Sequence, residues 1–206
     1  MAQDFHSPID LRSKHDALEW ASTANIKRPW RNDFFLSFIN EVAKSDIAGS
    51  RILELGSGPG FLAEALLKYF NSINYVSLDF SGAMHVLARE RLGLLANRVQ
   101  FLELNFLDSN WLDEIGQFDS VVTHQAVHEL RHKNRAVKLH EQVRKILNKG
   151  GIYLVCDHYF GEDGMSNHEL YMTVEEQQDA LYAAGFETVE LIKQHKDLAL
   201  HRAKWH

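Results

Sequence analysis

The segment RILELGSGPG, residues 51–60, constrains the fold more than any other stretch of this chain. An apolar run carries Glu54 near its end and breaks into glycines at 56, 58 and 60, and an amphipathic stretch starts at Phe61. Such a run reads as a strand and the stretch after it as a helix, so the segment is a strand–loop–helix joint. Its loop is nearly free of side chains, which lets a ligand lie against backbone. A nucleotide-like cofactor is the occupant that this joint predicts.

The pattern around the joint alternates. Strands are predicted at 51–55, 74–79, 99–104, 118–123 and 152–156, and two more at about 187–193 and 198–205 form an antiparallel hairpin. Helices are predicted at 61–70, with Leu62, Ala65, Leu66 and Tyr69 on one face, and after Ser81, with Met84, Leu87, Ala88 and Leu95. A short helix is expected at 111–115, and a longer one at 133–147 with Ala136, Leu139, Val143 and Ile146 inward, stopped by Asn148–Gly151. Thr173–Glu176 reads as a capping box for a helix that ends at Gly185. Before the joint, two helices are read in 1–48: a polar one at 11–21, and one at 33–44 carrying Phe34, Phe35, Phe38, Ile39 and Val42, with a turn at 46–50. Strands that alternate with helices of this length imply an α/β fold, a doubly wound, Rossmann-like sheet of seven strands, mostly parallel with the last antiparallel. Ligands bind such sheets beyond the carboxyl ends of the strands. The domain division expected is a helical lid over 1–48 and a cofactor-binding domain over 49–206.

Bulk properties prune the function. With 45% hydrophobic and 24% charged residues, the composition is that of an ordinary soluble protein, with no apolar run of membrane-spanning length and no visible secretory leader. The single cysteine, Cys156, excludes a disulfide framework, and these features together point to the cytoplasm. A formal net charge of −6 argues against a broad grip on nucleic acid.

Two cofactor classes use this architecture. A dinucleotide-binding dehydrogenase shows G-x-G-x-x-G, but here position 61 is Phe and the third glycine falls at 60, although Asp79 lies where that family's ribose-binding acid would be. Four motifs in order fit something else: E-L-G-S-G-P-G, S-L-D-F-S-G-A-M, F-D-S-V-V-T-H-Q and L-N-K-G-G-I-Y-L-V-C-D. Over residues 51–205 the chain resembles the class I S-adenosylmethionine-dependent methyltransferases, whose seventh strand also inserts antiparallel. The resemblance implies S-adenosylmethionine as cofactor. Gly56, Ser57, Gly58 and Gly60 would lie against its methionine and ribose parts, Glu54 would meet its ammonium group, and Asp79 both ribose hydroxyls. Phe80 and Met84 would pack on adenine. The family often has an acid after the third strand for the adenine amino group; this chain has Asn105 there, with Phe106 beside it and Asp108 as the alternative contact.

Methyl transfer needs alignment and exclusion of water more than covalent help. A base is needed only when the acceptor must lose a proton. His128, in T-H-Q-A-V-H-E, is the first choice, because imidazole titrates near neutral pH. His124 is expected to line the cofactor pocket, and His158 and Tyr159 to position the acceptor. His124 and His128 lie four apart with Asp157 and His158 to follow, but no zinc-binding pattern matches, so no metal is expected. No D-P-P-Y or N-P-P-Y run follows the fourth strand, and Cys156 lies inside the fifth, which argues against nucleic-acid amine and cytosine-C5 acceptors. A small-molecule acceptor remains, with no nucleic-acid or membrane partner. Trp20 and Trp30 suggest a lid over the cofactor, whereas Phe34 and Phe35 read as helix packing. The competing readings are a non-catalytic S-adenosylmethionine-binding sensor or partner protein and an NAD-dependent oxidoreductase.

Overall fold

The computed structural model describes residues 5–44, 49–108, 110–113 and 115–206. Seven strands form one sheet in the order β3-β2-β1-β4-β5-β7-β6: β1 Arg51–Leu55, β2 Asn74–Asp79, β3 Val99–Glu103, β4 Phe118–His124, β5 Leu147–His158, β6 Thr188–His195 and β7 Leu198–Lys204. β1, β2 and β3 pair in parallel, as do β4 and β5, while β7 runs antiparallel to both β5 and β6. The doubly wound, Rossmann-like prediction therefore holds, including the antiparallel last strand. Dinucleotide-binding sheets follow the order 3-2-1-4-5-6, so the insertion of β7 between β5 and β6 sets this sheet apart from them.

Six α-helices accompany the sheet among the described residues: α1 Lys14–Lys27, α2 Arg31–Val42, α3 Phe61–Tyr69, α4 Gly82–Leu92, α5 Ala136–Ile146 and α6 Val174–Ala183. Two compact units divide the chain, Pro8–Trp111 and Met1–Ser7 with Leu112–His206. Within the first, α2 packs on α3 and α1 on α4. Phe34, Phe35, Phe38, Ile39 and Val42 all bury on one stripe of α2, as their helical spacing requires. Within the second, α5 packs on α6 and inserts Leu139, Val143 and Ile146 into the core. No helix among the described residues is long and apolar enough to cross a membrane.

Local chemistry sets the helix ends. Ser81 Oγ accepts the Met84 N–H and starts α4. Thr173 and Glu176 form a reciprocal capping box at α6, and Gly185, at φ 90°, follows that helix's end. Several boundaries differ from the sequence reading. Tyr69 is 61% exposed, because the inward face of α3 is Leu62, Ala63, Leu66 and Leu67. Leu95 falls in a 3-10 segment beyond α4, not on the helix, and residues 133–135 are likewise 3-10 rather than the first turn of α5. Residues 110–113 are a turn where a short helix was expected, and 114 lies outside the described residues. Asn148–Gly151 does not merely stop α5: it belongs to β5 and bulges, so that Phe118 pairs with Leu147 but Ser120 with Ile152. The turn expected at 46–50 and the boundary at 48 fall largely on residues 45–48, outside the described residues.

Candidate active site

The first cluster lies within Pro8–Trp111. The loop after β1 takes positive φ at Gly56, Gly58 and Gly60 (64°, 52° and 79°), a backbone region that side chains rarely adopt. A Cβ at Gly58 would meet nothing within 4 Å, whereas at Gly60 it would press on Ala88 Cβ at 3.2 Å. Gly60 therefore serves close packing of α3 on α4, and Gly58 borders open space. Ser57 is buried, and its Oγ has no hydrogen-bond partner.

Two carboxylates flank this loop. Asp79, at the end of β2, accepts the Gly58 N–H at 2.8 Å and the Ser81 N–H at 2.9 Å, which ties the glycine loop to the β2–α4 corner. Glu54 is 2% exposed and accepts a 2.8 Å hydrogen bond from Tyr75 Oη. Burial pushes its pKa up to about 8; the Tyr75 bond and the charge of Arg31 work against this rise, and Asp79 adds to it. Phe80 carries the Arg12 guanidinium 4.8 Å from its ring centroid, and Ser81 Oγ donates to the Leu11 carbonyl, so the segment before α1 sits on this corner. Met84 is buried in the core, and Phe106 is buried too. Asn105 Oδ1 accepts the Leu107 N–H at 3.0 Å, so the oxygen expected to meet adenine also holds its own turn.

The second cluster lies within Leu112–His206, where β4 and β5 end. His128 Nδ1 donates to Asp157 Oδ1 at 2.7 Å, and the His128 N–H donates to Asp157 Oδ2 at 2.8 Å. The His158 N–H adds a third bond to Asp157 at 2.7 Å. On its other side, His128 Nε2 lies 3.3 Å from Glu129 Oε1. Burial disfavours the charged imidazole, but Asp157 and then Glu129 outweigh it and raise the His128 pKa far above its ordinary value. His128 is therefore an imidazolium through neutral pH, which corrects the expectation that it titrates there. Burial raises Asp157 in turn, and the pull of His128 and His158 holds it low.

His158 Nδ1 lies 2.9 Å from Asp197 Oδ2, and its Nε2 faces the Gln125 amide nitrogen at 2.9 Å, which makes Nδ1 the protonated atom. Gln125 itself adopts φ 59°, a left-handed conformation unusual outside glycine. Tyr159 is buried and donates its hydroxyl to the Lys196 carbonyl at 2.7 Å, holding the β6–β7 turn. His124 ends β4, buried and paired in register with Cys156. His128, Asp157 and His158, with Tyr171, Met172 and Gln177, line a cavity of about 10 Å³, the room of one water molecule.

The sequence matches a methyltransferase domain over residues 53–153, a span that holds the glycine loop, both flanking carboxylates and His128. Over these residues the chain carries a methyltransferase domain. Solved structures share its fold. Human N-acetylserotonin methyltransferase in complex with SAM has a TM-score of 0.70 and 17% identity, covering 94% of this chain and 57% of that one. A candidate O-methyltransferase from Nostoc punctiforme gives 0.69 and 16%, covering 89% and 59%. PigF with SAH gives 0.65 and 18%, covering 82% and 55%. The chain thus spans little more than half the length of these structures. A search of curated proteins finds no match to the sequence.

Both clusters contain residues whose contacts the sequence reading did not anticipate. Asp157 organises His128 and His158, yet the sequence reading weighed it only among possible metal ligands. Its signal was present: an acid closing the otherwise apolar run I-Y-L-V-C. Glu129, Tyr75 and Arg31 gave no comparable signal, because each acts through a contact that only the fold creates.

Proposed function

We propose that the chain is an S-adenosylmethionine-dependent methyltransferase that acts on a small-molecule acceptor. The observation that carries this reading is the joint after β1: a buried acid, Glu54, a loop whose three glycines all take positive φ, and a second acid, Asp79, bonded to that loop. The cofactor has a cationic amino-acid head, a ribose and a purine. Glu54 suits the ammonium group, the carboxylate of Asp79 suits the ribose hydroxyls, and Phe80 and Phe106 offer rings near the same strand ends. The open space at Gly58 and the orphan Ser57 hydroxyl support a ligand against this loop. When bound, S-adenosylmethionine supplies an electrophilic methyl group.

The chain's own residues would then position the acceptor and take its proton. Glu129 occupies Nε2 of His128 and is partly exposed, so an acceptor hydroxyl or amine can replace it there. Losing that carboxylate lowers the His128 pKa toward neutrality, and Asp157 keeps Nδ1 protonated and the ring oriented. His128 is the general base in this account, and His158, fixed by Gln125 and Asp197, shapes the acceptor's surroundings. Within the 1–48 segment, the described residues around Leu11 and Arg12 act as part of a lid, through the Arg12–Phe80 contact and the bond from Ser81 to Leu11. Cys156 is buried inside β5, which supports an acceptor other than a cytosine ring.

Methyl-labelled S-adenosylmethionine offered with a panel of small phenols, amines, carboxylates and thiols tests the reading. Label should pass to at least one class, and His128→Ala should slow transfer by roughly 10²- to 10⁴-fold while cofactor affinity holds. Transfer only to nucleic acid or protein, or an unaffected His128→Ala variant, contradicts it.

A further inference from the structure

The second cluster lies beside the loop that joins β5 to α6. That loop has a closed neck: the Phe160 N–H donates to the Met172 carbonyl at 2.8 Å, and the Met165 N–H to the Tyr159 carbonyl at 2.7 Å. Inside it, the Phe160 and His168 rings pack 4.5 Å apart, and Asn167 Oδ1 accepts the N–H groups of Glu169 and Leu170 at 3.0 and 3.2 Å. Gly164 has no room for a side chain, because a Cβ there would overlap the Tyr159 carbonyl oxygen. From outside the loop, the Lys133 N–H donates to the Glu169 carbonyl at 3.0 Å. A surface loop whose ends meet and whose own side chains fill it is an Ω-loop, a form that often carries function. What this one holds in place is Tyr171, whose N–H is bonded to the Asn167 carbonyl at 2.9 Å.

The Tyr171 ring packs on both imidazoles of the cluster. Its centroid lies 5.7 Å from that of His128 and 5.9 Å from that of His158, tilted on the first and edge-on to the second. The two imidazoles are themselves 5.2 Å apart. Tyr171 is half-buried, and the space left beside the two rings holds about one water molecule. An acceptor that gives its proton to His128 therefore lies against Tyr171 as well.

We propose that Tyr171 sets the size of the acceptor that the site takes. The inference rests on the reading of His128 as the base and deepens it. Backbone bonds fix where the ring stands, so the bulk of the ring decides how much of an acceptor fits beside the imidazoles.

Label transfer is measured with phenols, benzylamines, benzoates and thiophenols whose para substituent grows from hydrogen through methyl to tert-butyl. The unaltered chain is compared with its Tyr171→Ala and Tyr171→Phe variants. The quantity read is the ratio of kcat/KM for the tert-butyl member to that for the unsubstituted one, which a loss of folded protein leaves unmoved. Tyr171→Ala should raise the ratio by about 10- to 100-fold, the discrimination that small changes of room in an apolar pocket produce. Tyr171→Phe keeps the ring and should hold the ratio within about twofold. A ratio that Tyr171→Ala leaves unchanged makes Tyr171 a brace for the loop and overturns the proposal. A second measurement needs no turnover. With isotope-labelled histidine, millimolar para-tert-butylphenol should shift the imidazole resonances of His128 and His158 in Tyr171→Ala and not in the unaltered chain. No shift in the variant, or an equal shift in both, overturns the proposal. His128→Ala separates the two failures. An unchanged ratio with transfer slowed by His128→Ala strikes Tyr171 alone, whereas transfer indifferent to His128→Ala strikes the base reading beneath it.

Discussion

A carboxyl buried beside another carboxylate keeps its proton, and Glu54 does so up to a pKa of about 8. A cationic head group reverses that preference. Cofactor binding at pH 7 should therefore release close to one proton, read from the binding enthalpy in buffers of different ionisation heat. Glu54→Gln should abolish the release, and Tyr75→Phe should weaken neutral-pH binding and recover as pH rises, because the lost hydrogen bond favours the ionised form. In the second cluster, Asp157→Asn removes the charge that balances the His128 imidazolium and spoils a carboxylate that accepts three N–H groups. Breaking such a buried pair costs about 3–5 kcal/mol, which urea unfolding would read; a loss under about 1 kcal/mol contradicts the pairing. What was legible here follows one rule. Glu54 and Asp79 could be set beside the glycine loop from sequence, because both sit at strand ends that adjoin it. Tyr75 looks like any aromatic in an apolar strand, and the His128–Asp157 contact spans 29 positions that only the pairing of β4 with β5 brings together.

Elements were legible where a local signal marks both ends. β1 and β2 match their predicted limits, and the caps of α4 and α6 are the Ser81 and Thr173 that the sequence offers. Thr173→Ala should cost about 1 kcal/mol of stability by thermal unfolding, since it removes one arm of a reciprocal pair. The misreadings lie where tertiary structure decides. Asn148–Gly151 looks like a helix stop, but pairing with β4 draws it into β5 as a bulge, and there Gly151 has no room for a side chain. A Cβ would stand 2.8 Å from the Asp119 carbonyl oxygen and 2.9 Å from that of Asn148, both rigid backbone. Gly151→Ala should therefore cost about 1–3 kcal/mol in urea unfolding, and a neutral effect would mean the bulge can relax. Tyr69 misleads in the opposite direction: its spacing suits the inward face of α3, yet α3 buries the neighbouring stripe instead.

Across the whole molecule, buried histidines set the acid limit. His85, His140 and His201 are buried, and burial lowers their pKa values to about 4, 3 and 4. Unfolded, each titrates at the ordinary imidazole value of about 6.5. Below that value the unfolded chain binds more protons than the folded one, so stability falls as pH drops from about 6.5 toward 4 and is flat above, as far as these groups are concerned. Urea titrations at pH 7.5, 6 and 5 should show the decline, and replacing His201 with Gln should make it shallower. The order of the sheet, with β7 antiparallel between β5 and β6, and the methyltransferase domain at 53–153 together make the cofactor the central claim. Calorimetric titration of the full chain with S-adenosylmethionine, S-adenosylhomocysteine and NAD tests it most directly. Micromolar-range binding of the first two and none of NAD is the result expected, whereas binding of NAD alone, or of none of the three, contradicts the account.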